Sequence, residues 1–242
     1  MINPYNHLFY DESMTHQFIL DILPDAQPSF TNMVVGLNAL AIESARTLKP
    51  GQTLYLWGPD GSGRSHLLRA SVNQDNGQYF DATTAAQDIA DCASRDLPMP
   101  SLVAIDNVHK LDADSQAACF TLYNRFKELS ASPHAFKLIV SGDRAPLYMP
   151  IREDLRTRLG SGLVERLTPL SDQDKFEALT TLAAELAMPL APEVLHWLLT
   201  HNSRDIRVLW ATMQALDRFA LSNKRAITVP LLKTMLAEPP QS

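Results

Sequence analysis

Short apolar runs alternate with segments of helical periodicity from about residue 38 to residue 167. A run bounded by turn-forming residues predicts a strand, and apolar positions spaced three or four apart predict a helix. The predicted strands are Thr53–Trp57, Gln78–Asp81, Leu102–Ile105, Lys137–Ser141 and Leu163–Leu167. The predicted helices are Asn38–Leu48, Arg64–Asn73, Thr83–Ala93 and one that Asp114 or Ser115 caps and that extends to about Ser130. This alternation predicts an α/β fold in which helices cover a parallel, five-stranded sheet.

From Thr168 onward every periodic segment is helical. Ser171 and Asp174 have the spacing of a capping box, which predicts the start of a helix. Three further helices are predicted to begin at Pro192, Ser203 and Pro230. We therefore expect a small helical bundle after the sheet. The predicted regions are an N-terminal extension over residues 1–28, an α/β domain over residues 29–167 and a helical domain over residues 168–242.

A glycine-rich loop joins the first predicted strand to the next helix. The stretch from Gly58 to Ser65 matches the phosphate-binding P-loop, except that Arg64 replaces the usual lysine. Glycines let the backbone turn its N–H groups inward, and the helix N-terminus favours an anion. We predict a nucleotide site that contains Gly58, Gly61, Ser62, Gly63, Arg64, Ser65 and His66. Because arginine is a planar fork rather than a point charge, nucleotide binding is better supported than hydrolysis.

An acid and an amide follow the third predicted strand. Asp106 after the apolar run Leu102–Ile105 is typical of a Walker B motif, so we predict that Asp106 and the Ser65 hydroxyl hold Mg²⁺. The next residue, Asn107, cannot accept a proton from water as a carboxylate can. Ser141 ends another strand at the edge where ligands bind in open α/β sheets. The set predicts a nucleotide site with weak or no intrinsic ATPase activity.

Composition and charge narrow the class of protein. The chain has 21 basic and 27 acidic residues and a formal net charge of −6, which argues against non-specific nucleic-acid binding by the whole surface. Cys92 and Cys119 are isolated, which predicts two reduced core thiols. No apolar run approaches the roughly 18 residues that span a bilayer, and the N-terminus lacks a signal-peptide pattern. We expect a cytoplasmic protein without membrane contact.

The predicted N-terminal extension contains one apolar segment, from Gln17 to Ile22. Phe18, Leu20 and Ile22 occupy alternate positions in it. One interpretation is an edge strand that packs on the folded body. The other is a linear peptide whose alternate side chains enter pockets on a partner. The pattern favours neither interpretation over the other.

Two pairs of arginines follow in the C-terminal half. Arg156 and Arg158 are two residues apart on a short helical segment, so their side chains diverge. They form either a solvated basic turn or an arginine finger for a nucleotide in a neighbouring subunit. Arg204 and Arg207 lie near the start of a predicted helix, where cations oppose the helix dipole. That pair is either simply exposed or close to an anion.

Taken together, these motifs resemble AAA+ proteins of the replication-initiator clade, and within it the Hda family of DnaA-homologous regulators. Residues 29–38, which include Val35, resemble the DnaA segment that shapes the adenine pocket. Residues 102–107, with their Asp-Asn ending, resemble the Hda version of Walker B, and residues 141–144 resemble its sensor 1. The resemblance implies an AAA+ P-loop domain followed by a helical lid.

The resemblance also implies roles for three arginines and for the N-terminal peptide. Residues 155–162 are similar to the box that carries an arginine finger, which falls on Arg158 with Arg156 in support. Arg207 matches the sensor 2 arginine of the lid. The clamp-binding peptide of Hda proteins resembles the segment with Gln17, Phe18, Leu20 and Ile22, where phenylalanine replaces the usual leucine.

The implied function is negative regulation of replication initiation. A chain of this kind holds ADP or ATP with Mg²⁺, binds the DNA polymerase III sliding clamp and thereby the nucleoid, and stimulates hydrolysis of DnaA-bound ATP in trans. DnaA continues into a helix-turn-helix domain and this sequence does not, so we expect no direct sequence-specific DNA binding. The resemblance leaves open whether the chain forms a homodimer or a larger oligomer.

Two other classes of function stay open at the level of sequence. The first is an autonomous AAA+ ATPase or loader, against which Arg64 and Asn107 both weigh. The second is an adaptor that is tethered to the clamp and has a vestigial nucleotide site, against which Arg158 and Arg207 weigh. An ATPase assay of the isolated protein distinguishes the first class.

Overall fold

A computed structural model describes residues 27–96, 98–203 and 205–237 of the chain. The chain divides into two compact units, and the boundary lies between Ser171 and Asp172. The first unit is an α/β domain, and the described part of the second is helical. None of the helices in the described ranges is long and apolar enough to cross a membrane.

Five parallel strands form the centre of the α/β unit. They are β1 (Thr53–Trp57), β2 (Gln78–Phe80), β3 (Leu102–Ile105), β4 (Lys137–Gly142) and β5 (Leu163–Arg166). Their order across the sheet is β2-β3-β4-β1-β5, and every neighbouring pair is parallel. All five predicted strands are present, which confirms the fold class. Because parallel strands end at one edge, the residues that follow β1, β3 and β4 come together there.

Five helices complete this unit. They are α1 (Ala39–Thr47), α2 (Arg64–Asp75), α3 (Ala86–Ser94), α4 (Ala113–Leu129) and α5 (Glu153–Leu159), with short 3₁₀ helices at Val108–Lys110 and Pro146–Tyr148. The predicted cap of α4 at Asp114 or Ser115 is wrong. Asp112 has the extended backbone of a cap, and its carboxylate accepts the Ser115 N–H at 2.8 Å.

Apolar side chains fill both faces of the sheet. Leu54 and Leu56 of β1 pack in a cluster with α1 and α2, whereas Tyr55 points into a cluster with α3 and α4. This alternation follows from the two-residue period of a strand. Cys92 and Cys119 are free and buried in the second cluster, and burial raises the pKa of both thiols. The prediction of two core thiols is thus confirmed.

The second unit is a bundle of helices. Its members are α6 (Asp172–Glu185), α7 (Pro192–His201), α8 (Ile206–Asn223) and α9 (Val229–Ala237). Their apolar faces share one core, in which Leu179, Leu198, Leu209, Leu216 and Leu231 are fully buried. The predicted cap of the third helix at Ser203 is wrong, because Asp205 takes that place and accepts the Arg207 N–H at 2.9 Å.

Candidate functional site

The loop between β1 and α2 has the backbone that an anion site needs. Gly61 and Gly63 have φ values of 78° and 92°, a left-handed region that residues with a Cβ rarely adopt. Gly63 is the N-cap of α2, and its carbonyl accepts the Leu67 N–H at 3.0 Å. The first N–H groups of a helix have no acceptor within it. The start of α2, with Ser65 and His66, therefore offers donors to a phosphate.

The same loop contains a buried hydroxyl, on Ser62. Ser62 is 4% exposed, and its Oγ has no hydrogen-bond partner among the described residues. Gly58 lies beside it, since a Cβ at Gly58 would come within 2.8 Å of Ser62 Oγ and would overlap the carbonyl of Leu167. An unsatisfied buried hydroxyl costs about 1–3 kcal/mol, which a ligand rich in oxygen can recover. Both features fit a phosphate group in the loop.

The Arg64 side chain is buried, at 5% exposure, and bonds to the protein itself. Its Nη1 donates to the carbonyl oxygens of Gly58 at 2.5 Å and Gly142 at 2.6 Å. Its Nη2 donates to Asp60 Oδ1 at 2.8 Å and to Asn107 Oδ1 at 3.0 Å. In a P-loop the cation at this position reaches the β- and γ-phosphates. Here Arg64 instead joins the P-loop to the carboxyl ends of β3 and β4, although its positive charge remains within the site.

Asn107 is positioned for this contact by an unusual backbone. Its φ is 53° and its ψ is 50°, a left-handed conformation that asparagine tolerates better than most residues. Its N–H donates to Ser141 Oγ at 2.9 Å, while its side-chain oxygen accepts from Arg64. The amide at this position therefore has a structural partner. The two departures from the usual motif, Arg64 and Asn107, are in direct contact.

Asp106 lies in the same cluster, and hydroxyl groups hold both of its oxygens. Tyr79 Oη donates to Oδ2 at 2.7 Å, and Ser141 Oγ donates to Oδ1 in a short hydrogen bond. Asp106 is 2% exposed and Ser141 is fully buried. Burial raises the pKa of Tyr79, and the hydrogen bond to Asp106 raises it further, so the phenol stays protonated and donates. The carboxylate is thus poorly presented to a hydrated cation.

The other predicted part of a magnesium site is the Ser65 hydroxyl. Within residues 27–96, 98–203 and 205–237, no three His, Cys, Asp or Glu side chains lie together as a metal cluster. A hydroxyl and a carboxylate that already accepts two hydrogen bonds form a weak donor set for Mg²⁺, which prefers several free oxygens and water. The residues of this site fit a phosphate better than a metal ion.

The segment before α1 is fastened to the start of α2. His66 Nε2 lies 3.1 Å from the carbonyl oxygen of Ser29, and Asn73 donates to the carbonyl of Pro28 at 2.8 Å. At the other end of this segment Asn38 is 3% exposed and exchanges two hydrogen bonds with the backbone of Thr168, at 2.9 and 2.8 Å. The predicted adenine-binding segment therefore runs beside the P-loop helix.

Val35 is the member of that segment predicted to contact the base. It is 46% exposed and lies two residues after Met33, whose Cε is 3.5 Å from the position a Cβ at Gly63 would take. The segment between residues 29 and 38 thus reaches the P-loop while keeping apolar surface uncovered. Apolar surface beside a phosphate cradle is what a nucleotide base requires.

Arg158 lies on α5, which Leu155 and Leu159 anchor in the core. Its guanidinium is 5.5 Å from the centre of the Phe120 ring and 5.7 Å from that of Tyr123. Arg158 is half-buried because it rests on aromatic faces of α4. In the described ranges its guanidinium has no ion pair and no hydrogen bond to a side chain or carbonyl.

Arg156 diverges from Arg158, as the spacing predicts. Its Nη2 is 4.0 Å from Glu153 Oε1 of the same helix, and a third of its side chain is exposed. Arg158 instead lines a surface cleft of about 520 Å³ together with Phe120, Lys127, Thr157 and Ser161. Of the two, Arg158 is the better candidate to meet another molecule.

Arg207 lies in the first turn of α8 and is exposed. Its guanidinium contacts the carboxylate of Asp205, with Nη2 2.6 Å from Oδ2. Arg207 is therefore both exposed and close to an anion, which is the carboxylate of the helix cap, Asp205. Arg204 and the peptide containing Gln17, Phe18, Leu20 and Ile22 lie outside the described residues.

Sequence reasoning missed several members of the P-loop cluster. Tyr79 was identified only as part of a strand, and Asp60 only as a loop residue. Their contacts with Asp106 and Arg64 span 27 and 4 residues of sequence. The sequence offered one signal: Gln78–Asp81 is predicted as the strand before β3. In a parallel sheet both strands end at the same edge, so their last side chains lie near one another. No pattern in the sequence specifies that a tyrosine hydroxyl there reaches a carboxylate.

Comparisons with known proteins agree with this geometry. Residues 172–236 match the model of the Hda lid domain. Domain III of the Thermotoga maritima replication initiation protein DnaA is 21% identical with a TM-score of 0.66, over 89% of this chain and 99% of that one. A replication initiator DnaA bound to AMPPCP and single-stranded DNA is 19% identical with a TM-score of 0.60, over 81% and 68%. A RuvB mutant of Thermotoga maritima is 15% identical with a TM-score of 0.62, over 86% and 72%.

The sheet order, the P-loop and these structural neighbours show an AAA+ fold. The helices that follow the α/β unit match the Hda lid domain over residues 172–236. This match agrees with the resemblance noted in the sequence.

Proposed function

We propose that this chain is a negative regulator of replication initiation that acts on DnaA. It binds an adenine nucleotide in the P-loop, docks on the sliding clamp and stimulates hydrolysis of ATP held by DnaA through Arg158. The observation that carries the proposal is the state of Arg158. A guanidinium at the protein surface, supported by two aromatic rings and without a carboxylate partner in the described chain, can contact an anion on another molecule.

The nucleotide of this chain is a structural cofactor in the proposal, and ADP is the preferred species. The glycine cradle, the start of α2 and the buried Ser62 hydroxyl support phosphate binding. The DnaA structure with AMPPCP supports the choice of an adenine nucleotide, since the fold is shared. Weak or absent turnover follows from Asn107, because an amide cannot accept a proton from the attacking water.

The chemistry takes place in the partner. The transferring phosphoryl group gathers negative charge on its oxygens, and a planar guanidinium can donate two hydrogen bonds to them at once. An arginine supplied in trans accelerates such reactions by about 10³–10⁵-fold. The Arg158 side chain alone can therefore account for the regulation. Arg156 supports it by pairing with the Glu153 carboxylate of the same helix.

Docking on the clamp brings Arg158 close to the ATP that DnaA holds. The peptide with Gln17, Phe18, Leu20 and Ile22 enters pockets on the clamp through its alternate apolar side chains. Its resemblance to the Hda clamp-binding peptide supports this step. The clamp would hold the protein near replicated DNA in the cytoplasm, without sequence-specific DNA contacts of its own.

The test is a reconstitution with purified components. DnaA loaded with labelled ATP is mixed with this protein and with clamp-loaded DNA, and the conversion to ADP is followed over time. We expect rapid hydrolysis only when both the protein and the loaded clamp are present. The isolated protein, assayed with ATP in parallel, should show little turnover.

Other results would lead to a different function. Turnover by the isolated protein at a rate typical of AAA+ motors would favour an autonomous ATPase. Clamp binding without stimulation of DnaA would favour a tethered adaptor with a vestigial nucleotide site. The internal hydrogen bonds of Arg64 and Asp106 are the observation on which that second candidate depends.

A further inference from the structure

We propose that nucleotide binding by this chain is largely independent of Mg²⁺, and that Tyr79 is the residue that makes it so. The inference rests on the proposed nucleotide site and adds a residue that no motif assigns. It replaces the expectation that Ser65 and Asp106 together hold a magnesium ion that matters for affinity.

The acceptor sites of the Asp106 carboxylate carry the argument. A carboxylate has about four lone-pair positions, and each oxygen of Asp106 already accepts one hydrogen bond, from Tyr79 and from Ser141. Asp106 is 2% exposed, so its other lone pairs have almost no access to solvent. In a Walker B site the acid must accept hydrogen bonds from the water shell of Mg²⁺. Here two protein hydroxyls occupy the places of such waters.

Tyr79 is held in this position by its strand and by Arg69. It pairs with Ala104 across β2 and β3, which sets the direction of its side chain. The Arg69 guanidinium lies 4.0 Å from its ring centre, and Arg69 is in turn 3.6 Å from Asp81. A tyrosine whose ring is fixed in this way keeps its hydroxyl on Asp106 as a hydrogen-bond donor.

The site has its own positive charge to oppose a diphosphate. The guanidinium of Arg64 is buried beside Asn107, the neighbour of Asp106. The N–H groups at the start of α2 add donors. Because the cation is part of the protein, a second one from solvent contributes little to affinity. This is the electrostatic reason why Mg²⁺ can be dispensable for binding.

The experiment measures ADP affinity by calorimetry, for the full-length protein freed of nucleotide, with excess Mg²⁺ and with EDTA. We expect the wild-type affinity to change less than about twofold on metal removal. In Tyr79→Phe the Oδ2 atom of Asp106 is released, and Mg²⁺ should improve ADP affinity by about threefold to tenfold, the net scale of one ordinary hydrogen bond. Tyr148→Phe, at an exposed tyrosine, is the matched control and should behave as wild type.

Ser141→Ala provides a second arm, because it releases Oδ1 and should shift metal dependence in the same direction. A purely structural role of Tyr79 would lower stability without changing the ratio of affinities. Loss of ADP binding by the wild type in EDTA would overturn the inference while the proposed nucleotide site stands. An unchanged ratio in both variants would also overturn it. Absence of ADP binding under either condition would overturn the proposed nucleotide site and the inference with it.

Discussion

Two arginines of the α/β unit have opposite environments, although the sequence predicts that both contact phosphate. Arg64 in the P-loop is buried and makes four hydrogen bonds to its own chain. Arg158 on α5 lies on two aromatic rings at the surface, with its donors directed at no protein acceptor in the described ranges. The first cation organises the site of this protein. The second remains available for the site of another.

Under the proposed function, this contrast is the structural reason why the chain would act on the ATP of a partner rather than on its own nucleotide. A guanidinium has five N–H donors, and four of those of Arg64 have acceptors within the site. Reorienting it towards a γ-phosphate would remove its hydrogen bonds to two strand-end carbonyls and to the side-chain oxygen of Asn107. Turning Arg158 towards a phosphate would break no hydrogen bond in the described chain, because the aromatic faces stabilise its charge without using its N–H groups.

The largest effect should come from Arg158→Ala. We expect stimulation of DnaA-bound ATP hydrolysis to fall by about 10³-fold or more. Nucleotide and clamp affinity should remain near wild type. Because only the contacts with Phe120 and Tyr123 are lost, the free energy of unfolding should fall by at most about 1 kcal/mol. Arg158→Lys should recover little, because an ammonium is a point charge rather than a fork.

The reconstituted hydrolysis assay checks this, with thermal unfolding to confirm that the variant folds. Arg156→Ala is the matched control on the same helix, and it should reduce the rate much less. If Arg158→Ala stimulates as well as the wild type while Arg156→Ala does not, the finger is Arg156.

Clamp docking should be separable from both arginines. Alanine at Gln17, Leu20 and Ile22 together removes three predicted contacts, so clamp affinity should fall by more than about 100-fold. Surface plasmon resonance on immobilised clamp measures this. Nucleotide affinity and thermal stability should not change. A clear loss of stability would instead support the alternative that this segment is an edge strand of the folded body.

The structural role of Arg64 predicts a smaller, thermodynamic effect. Lysine has three donors for four acceptors and lacks the fork, so Arg64→Lys should lower the free energy of unfolding by about 1–2 kcal/mol. Urea unfolding without nucleotide measures it. Arg46→Lys, at a half-exposed arginine, is the control and should stay within about 0.5 kcal/mol of wild type. Equal stability of the two variants would contradict the hydrogen-bond set of Arg64.

The smallest expected effect is a pH dependence from His109, near the same cluster. Burial lowers its pKa, the charge of Arg64 lowers it further, and Asp143, 4.0 Å away, opposes the shift. Between the folded and unfolded pKa values the unfolded chain binds more protons, so stability should fall as pH drops through about 6.5. Urea unfolding on both sides of that pH measures the change. His109→Gln should reduce it, whereas His134→Gln, at an exposed histidine, should not.

Much of the fold could be predicted from the sequence, because apolar periodicity is a local property. Each of the five strands coincides with a β-prone run that a turn terminates. The helix α7 begins at Pro192, as predicted. Helix caps were less certain. The caps are Asp112 and Asp205 rather than the predicted residues. Several polar residues near each helix start can act as a cap, and the backbone conformation determines which one does.

The sequence by itself determined that a glycine-rich loop joins β1 to α2, that Asp106 and Ser141 end neighbouring strands, and that two arginines diverge on α5. These follow from residue spacing and from strand and helix periods. Only the tertiary structure decided which partner each charged group has. Arg64 bonds to Gly142 across 78 residues of sequence, and Tyr79 bonds to Asp106 across 27. Such contacts depend on strand order and side-chain direction, which no local pattern in the sequence encodes.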